Sequence, residues 1–271
     1  MVSAMPTGEF GSVIDSDSAD PSSSPNNTST TDDQTQRSEE QAHQVLVEQQ
    51  VLARLETQPC EFIVRIAGIA STGESISSFV AQNDDMLPFP MAVLPIPPPS
   101  AQSIVVSVCC ALGHLHQLGI IHRDVKPDNL LLSPEGHVDK VKLTGLTYAS
   151  SQPSAHSLVG TPEFMAPEMI MGTAYTAAVD WWALGCLTSE LLTGQTPFAV
   201  VNGSVPDLLY KIFYDEIVVP THDHIGPQER EFIAALLQRD QSMRLGIHGR
   251  TQVLAHPWFG GATTPAVEIA S

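Results

Sequence analysis

Ile121-His122-Arg123-Asp124-Val125-Lys126-Pro127-Asp128-Asn129-Leu130-Leu131-Leu132 is the stretch of this 271-residue chain whose reading decides the fold. A carboxylate, a cation and an amide follow one another at Asp124, Lys126 and Asn129, then run straight into an apolar triplet. Their chemistries are complementary. A carboxylate can orient an attacking hydroxyl and accept its proton, and a cation can offset charge on a transferred group. An amide oxygen suits a hard divalent cation such as Mg2+. So many specified residues in one order make a chance loop a poor explanation.

The chain on either side is patterned. Upstream, Ile104, Val108, Leu112 and Leu115 recur at helical spacing and predict a helix over Ser103–Gln117. Downstream, helices are expected at Ala177–Leu192, Pro206–Tyr214 and Pro227–Leu237, each bounded by Gly or Pro. The first third is different. From Ile14 to about Gln41 the sequence is rich in Ser, Thr, Asp, Asn and Pro, too polar to offset its ordering entropy, and is expected to be disordered. Val45, Leu46, Val51, Leu52 and Leu55 form a helical stripe within Ser38–Leu55, and Phe62–Ile69 and Ile76–Val80 read as strands. Pro88, Pro90, Pro95, Pro97, Pro98 and Pro99 make Leu87–Pro99 a stiff connector, hostile to ordinary helix or sheet.

Bulk properties bound the function. The net charge of -18 argues against nucleic acid or an anionic membrane as the main partner, because both need a basic face. An acidic surface suits basic peptides. Cys60, Cys109, Cys110 and Cys186 lack metal or redox spacing, and buried thiols in a reducing compartment are expected. The amino terminus lacks a basic flank with an apolar segment, and no apolar run is long enough to span a bilayer. The expectation is a soluble intracellular protein, cytoplasmic or nuclear.

The opening stretch matches the H-R-D-x-K-P-x-N catalytic loop and so resembles the protein kinases. Gly160-Thr161-Pro162-Glu163-Phe164-Met165-Ala166-Pro167-Glu168 looks like the end of an activation segment, and Asp180-Trp181-Trp182-Ala183-Leu184-Gly185 resembles the family's D-x-W-x-x-G helix start. Lys126 followed by Pro127 points to the Ser/Thr type. Arg244-Leu245-Gly246 and His256-Pro257-Trp258-Phe259 are similar to the AGC group, the cyclic-AMP-dependent-kinase-like enzymes. The resemblance implies an α+β, bilobal fold. Its carboxy-terminal lobe would be mostly helical, and its β-rich amino-terminal lobe truncated and partly disordered. It implies ATP and Mg2+ as cofactors and a protein substrate or regulatory protein as partner, with Asp124 as base, Lys126 on the phosphoryl group and Asn129 on magnesium. Thr161 would contact Asp124 and dock the substrate, Glu168 would pair with Arg244, and Asp180 would hold the backbone of the catalytic loop. Trp181 and Trp182 read as core. Ser157 stands where an activating phosphate would sit, with Arg123, next to His122, as its partner.

Three departures qualify the resemblance. The strand Val141-Lys142-Leu143-Thr144 runs into Gly145-Leu146-Thr147 where the family has D-F-G. Without a gap, Gly145 replaces the metal-binding Asp; with one, Asp and Phe are deleted. Both alignments remove the carboxylate, and Asp139 belongs to the preceding strand connection. Secondly, no lysine precedes Lys126, so the third-strand Lys is absent. Glu48 fits its helical Glu partner and equally fits a solvated helix charge. Thirdly, Thr7-Gly8-Glu9-Phe10-Gly11-Ser12-Val13 resembles the end of a glycine-rich loop with Pro6 in place of the first Gly, which implies nucleotide contacts at Gly8, Gly11 and Val13. A mis-spliced transcript could produce the same gaps. The expected organisation is a loop remnant at 1–13, a disordered linker at 14–41, a residual amino-terminal lobe and connector at 42–99, a carboxy-terminal lobe at 100–259 and a flexible tail at 260–271. The expected activity is strongly impaired Ser/Thr phosphorylation; the alternative is a pseudokinase that regulates or binds other proteins.

Overall fold

Helix α1 (50–57) turns Val51 and Leu52 into the core, with Leu55 packed against them, and forms the end of the predicted apolar stripe. This computed structural model describes residues 50–64, 66–72, 75–80, 86–135, 141–151, 158–200, 203–219 and 225–260, all within the unit Gln41–Ser271. Gly8, Gly11, Val13, Glu48, Asp139 and Ser157, the segments 1–13 and 14–41, and 261–271 lie outside the described residues.

Beyond α1 the expected strand Phe62–Ile69 divides. Leu143 N–H donates to the Phe62 carbonyl at 2.8 Å and Val64 N–H to the Leu143 carbonyl at 3.1 Å, so 62–64 line the edge of a distant strand. The remainder opens β1 (Ile66–Thr72), which pairs antiparallel with β2 (Ser75–Val80). The proline-rich connector is also more structured than its composition suggests. Leu87–Pro88 forms β3, an edge strand, where a missing N–H is tolerated. Non-proline residues between the prolines supply the donors: Phe89 N–H reaches the Leu130 carbonyl and Ile96 N–H the Leu191 carbonyl.

Helix α2 (Pro98–Gln117) starts at Pro98 rather than the predicted Ser103. Apolar spacing begins late, but prolines fit the first turn, whose N–H groups have no intrahelical partner. α2 buries Ile104, Val105, Val108, Cys109, Leu112 and Leu115 completely or nearly so. Burial pushes the Cys110 thiol up to about 11 and those of Cys109 and Cys186 well above their ordinary value. The cysteines are free.

β4 (Leu130–Leu132) and β5 (Lys142–Leu143) complete a sheet of order β3-β4-β5, in the register Leu87↔Leu132 and Leu130↔Leu143. The rest is helical: α3 (Pro167–Ile170), α4 (Ala178–Thr193), α5 (Val205–Phe213), α6 (Pro227–Leu236) and α7 (Arg250–Leu254). α4 is apolar around nearly its whole circumference, as a helix at the centre of a core must be, and α2 and α6 pack on it. Trp181 and Trp182 are core residues, as predicted; Trp182 stacks on Phe198 with centroids 5.4 Å apart. Arg239 caps the carboxy terminus of α5, donating to the carbonyls of Lys211, Ile212 and Asp215. The described part of the fold is therefore mostly helical, with the β1–β2 pair and the three-stranded sheet β3-β4-β5. Among the described residues no helix is long and apolar enough to cross a membrane.

Candidate active site

The polar stretch that follows α2 is shaped by a carboxylate it cannot reach in sequence. Asp180, fully buried in the first turn of α4, accepts the His122 N–H at 2.9 Å and the Arg123 N–H at 2.8 Å. His116, at the end of α2, donates to it through Nε2 at 2.8 Å. Burial alone would raise the Asp180 pKa, but the His116 hydrogen bond, the nearby His116 and His122 rings and the Arg123 N–H outweigh it, so the carboxyl lies below its ordinary value. This clamp supports a backbone that would otherwise relax: Arg123 has φ 70°, a left-handed conformation costing on the order of 1–3 kcal/mol for a non-glycine residue.

His122 adds a second tie. Asp124 N–H donates to its Nδ1 at 3.2 Å, so the proton sits on Nε2, which donates to the Thr144 carbonyl at 2.8 Å. Burial lowers its pKa against the pull of Asp180, and the ring is a neutral bridge from loop to strand end. The Arg123 side chain faces the same strand end, donating to the carbonyls of Tyr148 and Ala149 and, through Nη1, to the Tyr175 hydroxyl at 3.2 Å.

Three predicted residues meet at the Asp124 carboxylate. Thr161 Oγ1 donates to Oδ1 at 3.0 Å; Lys126 Nζ lies 3.1 Å from Oδ2 and donates to Thr161 Oγ1 at 2.7 Å. Asn129, set by the 3-10 turn Pro127–Asn129, donates Nδ2 to Asp124 Oδ2 at 2.9 Å and to its carbonyl at 2.6 Å. Thr161 reaches the carboxylate because Gly160 lets two backbones approach: a Cβ there would stand 2.6 Å from the Arg123 carbonyl, and φ is 108°. Asp124 is 6% exposed.

The expected pairing of Glu168 with Arg244 is present. The guanidinium meets the carboxylate through two bonds, Nη1–Oε1 at 2.6 Å and Nη2–Oε2 at 3.0 Å. It also donates to the Gln238 and Ala178 carbonyls and lies 5.2 Å from the Trp182 ring centroid.

Residue 145 is the point at which the site departs from a cation-binding constellation. Thr144 N–H donates to the Asn129 carbonyl at 2.9 Å, so Gly145 follows directly and turns toward the Asn129 side chain with φ 80°. A divalent ion needs several oxygen ligands, at least some of them charged. Here Gly145 brings no ligand to Asn129, and the neighbouring Asp124 carboxylate is already engaged by Lys126, Thr161 and the Asn129 amide N–H2. The donor set does not fit magnesium.

Sequence reasoning missed three contributors. His116 is one of two histidines in the last turn of an apolar helix, and its partner lies 64 residues away. Tyr175 gives no signal of its role before the fold closes. Glu190 could have been found, since with Asp180 it is one of two charged residues in the apolar run Ala178–Thr193. Burial first, then Glu163 and then Asp128, raises its pKa to about 7, and Oε2 has no hydrogen-bond partner among the described residues. These three carboxylates form an electronegative corner beside the catalytic loop.

The Protein kinase domain family matches residues 4–259. Protein kinase 2 of Dictyostelium discoideum is 37% identical over 161 residues, which is 59% of this chain and 33% of that protein. Serine/threonine-protein kinase YPK1 of Saccharomyces cerevisiae is 37% identical over 161 residues, 59% of this chain and 23% of the relative. A cAMP-dependent protein kinase catalytic subunit of Arthrobotrys oligospora is 39% identical over 167 residues, 60% of this chain and 31% of the relative. The matched part thus spans a third or less of each of these relatives.

Proposed function

Because this chain belongs to the protein kinase domain family, in its Ser/Thr, AGC type, we propose that it keeps the hydroxyl-orienting half of a Ser/Thr kinase site and has largely lost the half that grips ATP and its cation. The observation that carries this reading is Gly145 against Asn129, together with the lack of any lysine before Lys126. Asp124 orients a Ser or Thr hydroxyl and accepts its proton, Lys126 and Thr161 fix that carboxylate, and Lys126 can swing its ammonium toward an incoming anion.

The missing contacts set the scale. One preorganised electrostatic contact to a reacting group contributes roughly 3–4 kcal/mol, so two independent losses remove on the order of 6–8 kcal/mol. ATP binding and phosphoryl transfer are correspondingly weak. The electronegative corner of Glu190, Glu163 and Asp128 favours protein segments rich in Arg and Lys, either as substrates or as regulated partners. The division at 99/100 between a residual amino-terminal lobe and the helical lobe, and an intracellular location, belong to the same reading. The missing carboxylate and lysine favour a second role, a pseudokinase that binds and regulates other proteins.

Thermal unfolding of the purified chain with and without magnesium and ATP tests the proposal. The midpoint should not move. A clear rise, removed by Asn129→Ala, would count against it.

A further inference from the structure

The Asn129 amide occupies the room that a side chain at residue 145 would need. A Cβ built on Gly145 comes within 2.5 Å of Asn129 Nδ2 and nearer still to Cγ and Oδ1, so the whole amide head lies in its path. Terminal atoms of a long side chain could step aside cheaply. This one is short, and its nitrogen is committed twice to Asp124, to Oδ2 at 2.9 Å and to the carbonyl at 2.6 Å. On the other side the Lys126 ammonium already stands 3.1 Å from Asp124 Oδ2, where it supplies the positive charge beside that oxygen.

We infer that Asn129 is a metal-independent brace: it fills the volume left by the glycine at 145 and fixes Asp124, and it holds no divalent cation in this arrangement. The inference rests on the reading of residue 145 proposed above and deepens it. Loss of the carboxylate at 145 is then not a simple vacancy. The neighbouring amide has closed over it, and a side chain restored at 145 has to break the Asn129–Asp124 bonds before it can enter. Asn129 acts through Asp124 and is a positioning residue.

A double-mutant cycle read by thermal unfolding tests this, using the full chain in chelator and again in magnesium chloride. Gly145→Ala is expected to lower the midpoint by about 5 °C, through the displaced amide and the left-handed backbone. In an Asn129→Ala background the same change should cost clearly less, because the amide is gone and only the backbone part remains. Magnesium chloride alone should leave the unsubstituted chain where it was. Equal penalties in the two backgrounds, or a magnesium-induced rise in the unsubstituted chain, would overturn the inference. Should Gly145→Ala fail to fold, Asn129→Asp decides. A brace needs the N–H2 donor, so Asp should lower the midpoint at least as much as Ala in chelator; an unchanged midpoint refutes the brace. Phosphorylation at an ordinary kinase rate would refute the proposed weakness but leave this coupling standing, so the two failures are separable.

Discussion

Glu168→Ala is expected to lower the stability of the helical lobe by roughly 3–5 kcal/mol, a drop in the thermal midpoint on the order of 10 °C. The size follows from what is left behind. Arg244 is 0% exposed and loses both bonds to the carboxylate, keeping only the Gln238 and Ala178 carbonyls and the Trp182 face for its charge. An uncompensated buried cation is far more costly than the net contribution of the pair, because the pair itself largely offsets its own desolvation. A double variant, Glu168→Leu with Arg244→Met, should therefore recover much of the loss. Denaturant unfolding checks both, and a single-variant loss under about 1 kcal/mol would show that the pair is hydrated rather than buried.

Asp180→Asn is expected to cost about 3 kcal/mol and to change the shape of the acid transition. The carboxylate receives three donors, and an amide would turn its own N–H2 toward some of them. The Arg123 backbone at φ 70° would lose its main support. The pH dependence follows from the direction of each shift. Asp180 is held below its ordinary value, so its stabilisation is full above the unfolded value near pH 4 and is lost as pH falls through the lower folded value. His122 is also lowered, here by burial: its neutral form is stable in the fold above about pH 6.5, and stability falls as pH drops from there toward its folded pKa. His256 is lowered in the same direction. Glu190, raised to about 7, works oppositely: its contribution is full below its unfolded value and is lost as pH rises through about 7. In the unsubstituted chain the His122 loss below about pH 6.5 is thus opposed by the Glu190 gain, and the Asp180 loss follows as a lower step below about pH 4. Asp180→Asn should remove the lower step and, by taking away the charge that lifts the His122 pKa, widen the His122 loss. Unfolding curves recorded from pH 7 to pH 3 would show it; an unchanged lower step would assign that loss to other carboxylates.

The chemistry-bearing residues were legible where they are close in sequence. Asp124, Lys126 and Asn129 share one loop, and Thr161 and Glu168 share one short segment, so the resemblance picked them out, and Lys126, Asn129 and Thr161 do meet at Asp124. The core helices were legible for a related reason: apolar spacing in α2 and α4 reports burial directly. Long-range partners were legible only where the family pattern supplies them, as for Glu168 with Arg244 and Asp180 with the loop backbone. Nothing in the spacing says that His116 will join them on the Asp180 carboxylate, or that Phe62–Val64 will leave its own strand to line Leu143. The proline-rich connector misled because composition weighs the missing N–H groups and not their positions. At an edge strand and in a helix's first turn those groups are not required. At residue 145 the sequence left two alignments open. The register of β4 on β5 brings Gly145 up to Asn129, and under both alignments no carboxylate stands there.

Transfer of the labelled γ-phosphate of ATP to an arginine-rich Ser/Thr peptide, by the chain purified free of other kinases, tests the central claim most directly. The account predicts incorporation several orders of magnitude below the ordinary kinase range of about 1–100 per second. Turnover within that range, abolished by Asp124→Asn, would contradict it.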